Sequence, residues 1–179
     1  WASGLENEPL QKAAIESISH SGEKPTPPKV RDLTTSIESN RSVTKNLKRL
    51  KNCGAKVEYI AVNVTDEKGL RKALAPIEKK WGPVQGIIHG AGILADKRIE
   101  NKSQQDIQRV YQTKVTGLKT LLKVIDENKL THLALFSSAA GFFGNAGQSD
   151  YAAANEVLNQ YALQFSQKYP KCNVVSFNW

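Results

Sequence analysis

Four polar side chains in this sequence stand where a core residue, or a ligand-facing residue, would be expected. The stretch from Leu133 to Phe165 reads LALFSSAAGFFGNAGQSDYAAANEVLNQYALQF. It opens with a short apolar run, Leu133 to Phe136, that ends in Ser137 and Ser138. A Gly-rich loop with Gly141, Gly144 and Gly147 follows, and a helix begins near Gln148 to Tyr151. At about 3.6 residues per turn, Tyr151, Asn155, Leu158, Ala162 and Phe165 share one face. A phenol and an amide one turn apart therefore start a stripe that is otherwise core. Ser138 falls at the carboxyl end of the preceding strand, the end at which open α/β sheets bind their ligands. Ser138, Tyr151 and Asn155 can thus converge on one crevice, where hydroxyl, phenol and amide are available to a polar substrate. A blander account also fits: a capped strand, a loop, and a helix with a half-buried Tyr.

A second stretch bears on the choice. Between Ser103 and Asn128 the pattern predicts one helix, with Ile107, Val110, Leu118, Leu121, Leu122 and Ile125 on its apolar side. Lys114 lies on that same line, between Val110 and Leu118. An ammonium on a core-facing stripe is costly unless it is paired or reaches a wet pocket, the alternative being to snorkel outward.

The elements that would position these groups can be read in chain order. A helix from Glu6 to His20 presents Leu10, Ala14, Ile15 and Ile18 and stops at Gly22. The segment GEKPTPPK reads as an extended connector. Ser39 to Cys53 forms a second helix with Val43, Leu47 and Leu50 in register, closed by Gly54. Lys56 to Val62 is expected as a buried strand. Asp66 then caps a helix carrying Leu70, Leu74, Ile77 and Trp81, which Gly82 and Pro83 terminate. Val84 to His89 is another strand, followed by Gly90-Ala91-Gly92. The strand at 133–137, the Tyr151 helix and a strand from Asn173 to Phe177 complete the pattern. Strands alternating with helices imply a parallel sheet with right-handed crossovers.

The 179 residues suffice for one domain with a sizeable core. No apolar run approaches a membrane span, no secretory signal is visible at WASGLENEPL, and neither membrane nor nucleic acid is expected as a partner. The net charge of +8 is spread over amphipathic helices and accompanies no nucleic-acid motif. Cys53 and Cys172 form no CxxC pair, which suits free thiols in a reducing, cytoplasmic setting. No metal-ligand spacing occurs.

The run SSAAGFFGNAGQSDYAAAN, with Lys114 in QTKVTGL and HGAG at His89 to Gly92, resembles the short-chain dehydrogenase/reductases. More narrowly it resembles the ketoreductase domains of modular polyketide synthases and of polyunsaturated fatty acid synthases. Ordinary members of that family carry Tyr-x-x-x-Lys on the helix and an Asn on the neighbouring one. Here the pair is exchanged, with Asn155 following Tyr151 and the Lys at Lys114, as in the synthase ketoreductases. The likeness runs from about Ala55 to Trp179, and GEKPTPPKV resembles an insertion of the polyunsaturated fatty acid synthase version.

This resemblance implies an α/β fold, a Rossmann-like parallel sheet with flanking helices. The sheet would be incomplete, because the first two strands and the Gly-rich phosphate loop are absent. The four expected strands would be the third to sixth in the order 3-2-1-4-5-6, so the missing pair would stand between 56–62 and 84–89. Residues 1–38 are expected to form a helical insertion and Pro-rich connector, and residues 39–179 a partial NADP-binding core. The expectation is of an internal slice of a multidomain synthase, not by itself able to turn over substrate.

The implied chemistry is hydride delivery to a ketone with a proton supplied to the developing alkoxide. Tyr151 is the implied general acid. A free phenol has a pKa of about 10, and an ammonium beside a phenol favours its ionised form. Lys114 would also bind the nicotinamide ribose, Ser138 would hold the substrate carbonyl, and Asn155 would position a water or relay group. Gly90, Ala91 and Gly92 correspond to the turn against the adenosine half of NADPH, and Asn63 and Val64 to the adenine contact, with Asn63 replacing the family's Asp. The final Asp of Leu94-Ala95-Asp96 marks the (3R) stereochemical class, and Phe143 occupies the place of a Trp that marks the opposite class. Asp96 and Phe143 would orient the substrate arm. The implied reaction is reduction of a β-ketoacyl thioester, carried by the phosphopantetheine of an acyl carrier protein, beside other domains of the same synthase. Two alternatives stand beside it: a reductase of a free small ketone, and a non-catalytic structural subdomain.

Overall fold

The computed structural model describes residues 1–179. Internal contacts divide the chain into two compact units, Trp1–Tyr59 and Ile60–Trp179. The first consists of helices α1 (Asn7–His20) and α2 (Pro27–Asn52), which pack on each other through the buried Leu10, Ala14 and Thr34. The segment expected as an extended connector is helical from Pro27 onward, so α2 starts twelve residues before the expected Ser39. Pro27 and Pro28 occupy the first turn, where a missing N–H breaks no helical bond and the fixed φ already suits a helix. Those prolines start the helix rather than interrupt it.

The second unit holds α3 (Glu67–Trp81), β1 (Gly86–His89), α4 (Gln104–Tyr111), α5 (Gly117–Val124), β2 (His132–Phe136), α6 (Ala140–Phe143), α7 (Ser149–Lys168) and β3 (Asn173–Phe177). The three strands form a parallel sheet in the order β1-β2-β3, with Ile87 opposite Leu133 and Leu133 opposite Val174. Asp66 caps α3 as expected, accepting the Gly69 N–H. Ile87, His89, Leu133 and Leu135 point to the covered face, where Leu118, Leu122, Leu158, Phe165 and Cys172 close the core. Burying a Leu or Phe of this kind contributes roughly 1.5–3 kcal/mol each. On the opposite face Ile88, Phe136, Val175 and Phe177 are exposed.

Two expectations are corrected here. Lys56 to Val62 is not a buried strand: it has no regular structure, and Tyr59 and Ile60 are exposed. β1 pairs only with β2, so no strand lies beside 56–62, and an unpaired strand would leave its backbone N–H and C=O groups to water. Nor is Ser103 to Asn128 one continuous helix. Between α4 and α5 the chain makes a π-helical turn over Gln112–Thr116, and after α5 a 3₁₀ turn at Glu127–Lys129. Ile107 is also more exposed than its place on the apolar line suggested, at 45%.

Candidate active site

α4 starts from a reciprocal cap. The Ser103 hydroxyl accepts the Asp106 N–H at 3.1 Å, and the Asp106 carboxylate accepts the Ser103 N–H at 3.0 Å. Lys97 bonds the same carboxylate at 2.7 Å, and this ion pair with the Ser103 bonds holds the acid well below its usual range. The helix is thus fixed at its entrance, and its exit is the π turn that carries Lys114.

Such a turn holds one residue more than an α-helical turn and rearranges the backbone hydrogen bonds, and single π turns are frequent at functional sites. Here the Lys114 carbonyl accepts from Nε2 of His89 at 2.8 Å. Because a carbonyl can only accept, Nε2 carries the proton. His89 ends β1 and is only 2% exposed. Burial pushes its imidazole below the ordinary value, the Lys114 hydrogen bond opposing and the Lys114 charge adding to that shift. A neutral His89 therefore ties the π turn to the sheet. Sequence reasoning read this residue only as part of HGAG; the signal available was a His at an inward-pointing position of a strand.

Lys114 is 3% exposed, and burial pushes its ammonium below the ordinary value. Its Nζ donates to the carbonyl of Phe136, the last residue of β2, at 2.9 Å and stands 5.1 Å from the centroid of the Tyr151 ring. The outward snorkel is therefore excluded. Gly92 makes room for this side chain, since a Cβ there would sit 3.1 Å from Lys114 Cε and 3.5 Å from Nζ. Lys114, Tyr151, Gly90, Gly92, Phe136 and Trp179 line one cavity of about 620 Å³. Gly90, Phe136 and Trp179 stand at or just after the carboxyl ends of the three strands, the expected end of such a sheet. Ala91, between the two glycines, is half-buried.

Ser138 does not line that cavity. It lines a separate recess of about 280 Å³ with Ala139, Ala140, Phe143, Gly144, Asn145 and Gln148. Its Oγ accepts the Ala140 N–H at 3.2 Å, a local bond to the chain two residues on that suits the blander account. The neighbouring Ser137 takes the buried position and donates to the Asn155 carbonyl at 3.0 Å. The chain then turns into the short helix α6, which begins two residues after Ser138. Phe143 is 82% exposed and meets the edge of Phe142 at a ring separation of 4.9 Å.

Asn155 is wholly buried. Its Nδ2 donates to the Tyr151 carbonyl at 2.8 Å, while its Oδ1 is a buried acceptor with no protein partner. That oxygen has the right chemistry for a water or a relay donor. Asn63 is exposed, and its Oδ1 accepts both the N–H and the hydroxyl of Thr65, at 3.0 and 2.9 Å. The oxygen expected to accept from an adenine amine is thus engaged within its own turn. Val64 packs on the helix beyond, where a Cβ on Gly117 would lie 2.7 Å from Val64 Cγ2. Asp96 is exposed and accepts from Gln148 Nε2 at 2.9 Å. Sequence reasoning also missed an ion pair between Lys102 and Asp150, just ahead of Tyr151.

A three-stranded parallel sheet with flanking helices, its carboxyl edge carrying a buried Lys that faces a Tyr, has the Rossmann-like fold of the short-chain reductases. Residues 25–179 match the family model described as the KR domain, and the chain belongs to that family, a group of oxidoreductases. It is 39% identical over 173 residues to one subunit of the polyunsaturated fatty acid synthase of Thraustochytrium sp., covering 93% of this chain and 6% of that protein. Among solved structures it is similar to an N-terminal ketoreductase from the macrolactin assembly line, with TM-score 0.70 and 33% identity over 78% of this chain and 29% of the other. It is similar also to a ketoreductase domain from the bacillaene assembly line, with TM-score 0.67 and 30% identity over 95% of this chain and 40% of the other. The chain spans about 6% of the length of the Thraustochytrium synthase protein.

Proposed function

We propose that this chain forms part of an NADPH-dependent ketoreductase. It would reduce a β-ketoacyl thioester, presented by an acyl carrier protein of a polyketide or polyunsaturated fatty acid synthase, to the (3R)-hydroxyacyl thioester. The observation that carries this reading is the buried Lys114 ammonium 5.1 Å from the Tyr151 ring, in a cavity at the carboxyl ends of the strands. Family membership and the exchanged order, with Asn155 after Tyr151, support it.

The residues fit the cofactor's ribose and nicotinamide half. Gly92 leaves space that a Cβ would fill beside Lys114, and Lys114 offers its remaining donors to ribose hydroxyls. Gly90 and Ala91 would let the backbone approach the cofactor. When bound, NADPH supplies the hydride. Tyr151 gives its phenolic proton to the substrate oxygen as negative charge builds there. Lys114 steadies the phenolate left behind, and the free Oδ1 of Asn155 holds the water through which the proton is restored. Ser138 lies in the neighbouring recess and would have to turn toward that cavity for its hydroxyl, which still has a proton to donate, to reach the ketone oxygen. Asp96 and Phe143 flank the entry of the substrate arm. Val64 packs beneath the adenine side, and the Asn63 amide group would face the base.

The full-length protein should oxidise NADPH in the presence of a β-ketoacyl thioester on its carrier protein, and chiral chromatography should return the (3R) alcohol. Faster reduction of a free small ketone than of the carrier-bound thioester would overturn the substrate assignment. A predominantly (3S) product would remove the directing role of Asp96.

A further inference from the structure

Lys102 and Asp150 form an ion pair of 2.7 Å in which each side chain is only 1% exposed. Neither residue lines the Lys114–Tyr151 cavity. Lys102 Nζ also donates to the Ala95 carbonyl at 2.8 Å, and Asp150 Oδ1 also accepts the Tyr151 N–H at 2.9 Å. A continuous polar path therefore runs from the Ala95 backbone, through an ammonium and a carboxylate, to the backbone of Tyr151. Two weaker ties run beside it: Lys97 N–H to the Gly147 carbonyl at 3.0 Å and Gln148 Nε2 to Asp96 at 2.9 Å. The loop after Gly90-Ala91-Gly92 is thus fastened at three points to the segment from Gly147 to Asp150 that leads into α7, and of these ties only Lys102–Asp150 is buried.

Stability alone does not account for this pair. Desolvating two charges offsets most of their attraction, so a buried pair does about as well as apolar residues of similar size. Asp150 Oδ2 is moreover buried with no partner. What charges give and apolar side chains do not is direction: each contact is a hydrogen bond that fixes an angle as well as a distance. We propose that Lys102 and Asp150 are positioning residues that lock the Ala95 loop to the start of α7, and so set both the placement of Tyr151 and the ketone face presented to it. The proposal rests on the reading of Tyr151 as proton donor. Neither residue touches the reacting atoms.

The test is made in the full-length protein, with Lys102→Met/Asp150→Leu, which replaces both charges by apolar side chains, and with the isosteric Asp150→Asn. Two quantities insensitive to the folded fraction are read: kcat per bound NADPH, and the ratio of the two product enantiomers. The expected result is a fall in kcat per bound cofactor of about tenfold or more, since small misplacements in an oriented site can cost up to about 10²-fold. The minor enantiomer should rise several-fold, whichever hand predominates. Tyr151→Phe runs alongside. An active Tyr151→Phe variant would overturn the reading of Tyr151, and the positioning role with it. An inactive one, with the paired variants at wild-type rate and enantiomer ratio, would overturn the positioning role alone. Loss of the fold in both variants would make the pair a folding element and likewise overturn it.

Discussion

Lys114 and Ser138 are both polar residues near the carboxyl edge of one sheet, yet the chain holds them in different ways. Lys114 is buried, its Nζ engaged by the Phe136 carbonyl and its own carbonyl held by His89. Ser138 sits in a separate recess two residues before a four-residue helix, together with the exposed Phe143. The Lys114 side is placed by core packing and by a neutral His under a π turn. The Ser138 side is placed by the turn into α6, which packs on α7. A group that must hold a charge in a fixed place needs the first kind of support, whereas a neutral hydrogen-bond donor can tolerate the second. In the proposed mechanism the proton-donating half of the site is therefore the buried one, and the carbonyl-holding half the more exposed one.

The comparison breaks first at Tyr151. Tyr151→Phe keeps the ring that faces Lys114 and removes only the proton donor. It should lower kcat by about 10²–10⁴-fold, the usual contribution of general-acid catalysis, with NADPH affinity little changed. A variant that keeps more than about a tenth of wild-type turnover, measured by NADPH consumption, argues against that role.

Ser138→Ala should matter less. A fixed oxyanion donor is worth about 10²–10³-fold, but a hydroxyl that lies outside the Lys114–Tyr151 cavity should lose only about one order of magnitude. Steady-state kinetics on the thioester would show this, and a loss as large as that of Tyr151→Phe would erase the distinction between the two halves.

The smallest effect is on stability. His89 is held below its ordinary pKa when folded, chiefly by burial, and returns to about 6.5 when unfolded. As pH falls below about 6.5 the unfolded chain takes up the proton before the folded one does, so stability declines with acidification until the folded His89 itself titrates. Urea midpoints across that range should fall in the wild type and fall less steeply in His89→Gln. Equal slopes would mean His89 contributes nothing to the acid response.

The elements legible in the sequence were those with their own period or punctuation. The Tyr151 helix and β3 stand where their apolar patterns put them, and Asp66 caps α3. Lys114 was legible because its charge contradicts its stripe. The π turn beneath it was not, since one extra residue leaves Val110, Lys114 and Leu118 all buried and the pattern intact. Lys56 to Val62 has the composition of a strand, but a strand is made by its partner, and composition says nothing of the partner. Ser138 was placed by its position at the carboxyl end of the strand, and Ser137, one residue earlier, takes the buried position instead. The Lys102–Asp150 pair joins residues distant in the chain, with no periodic signal to link them.

The central claim is that Lys114 and Tyr151 work as one unit, apart from Ser138. A double-mutant cycle in the full-length protein tests this most directly, using Lys114→Met, Tyr151→Phe and the combination, with kcat read from single-turnover NADPH oxidation. Residues that act as a unit are strongly non-additive, so the double variant should be no slower than Tyr151→Phe alone to within about threefold. A double variant slower by the full product of the two single losses would contradict the claim.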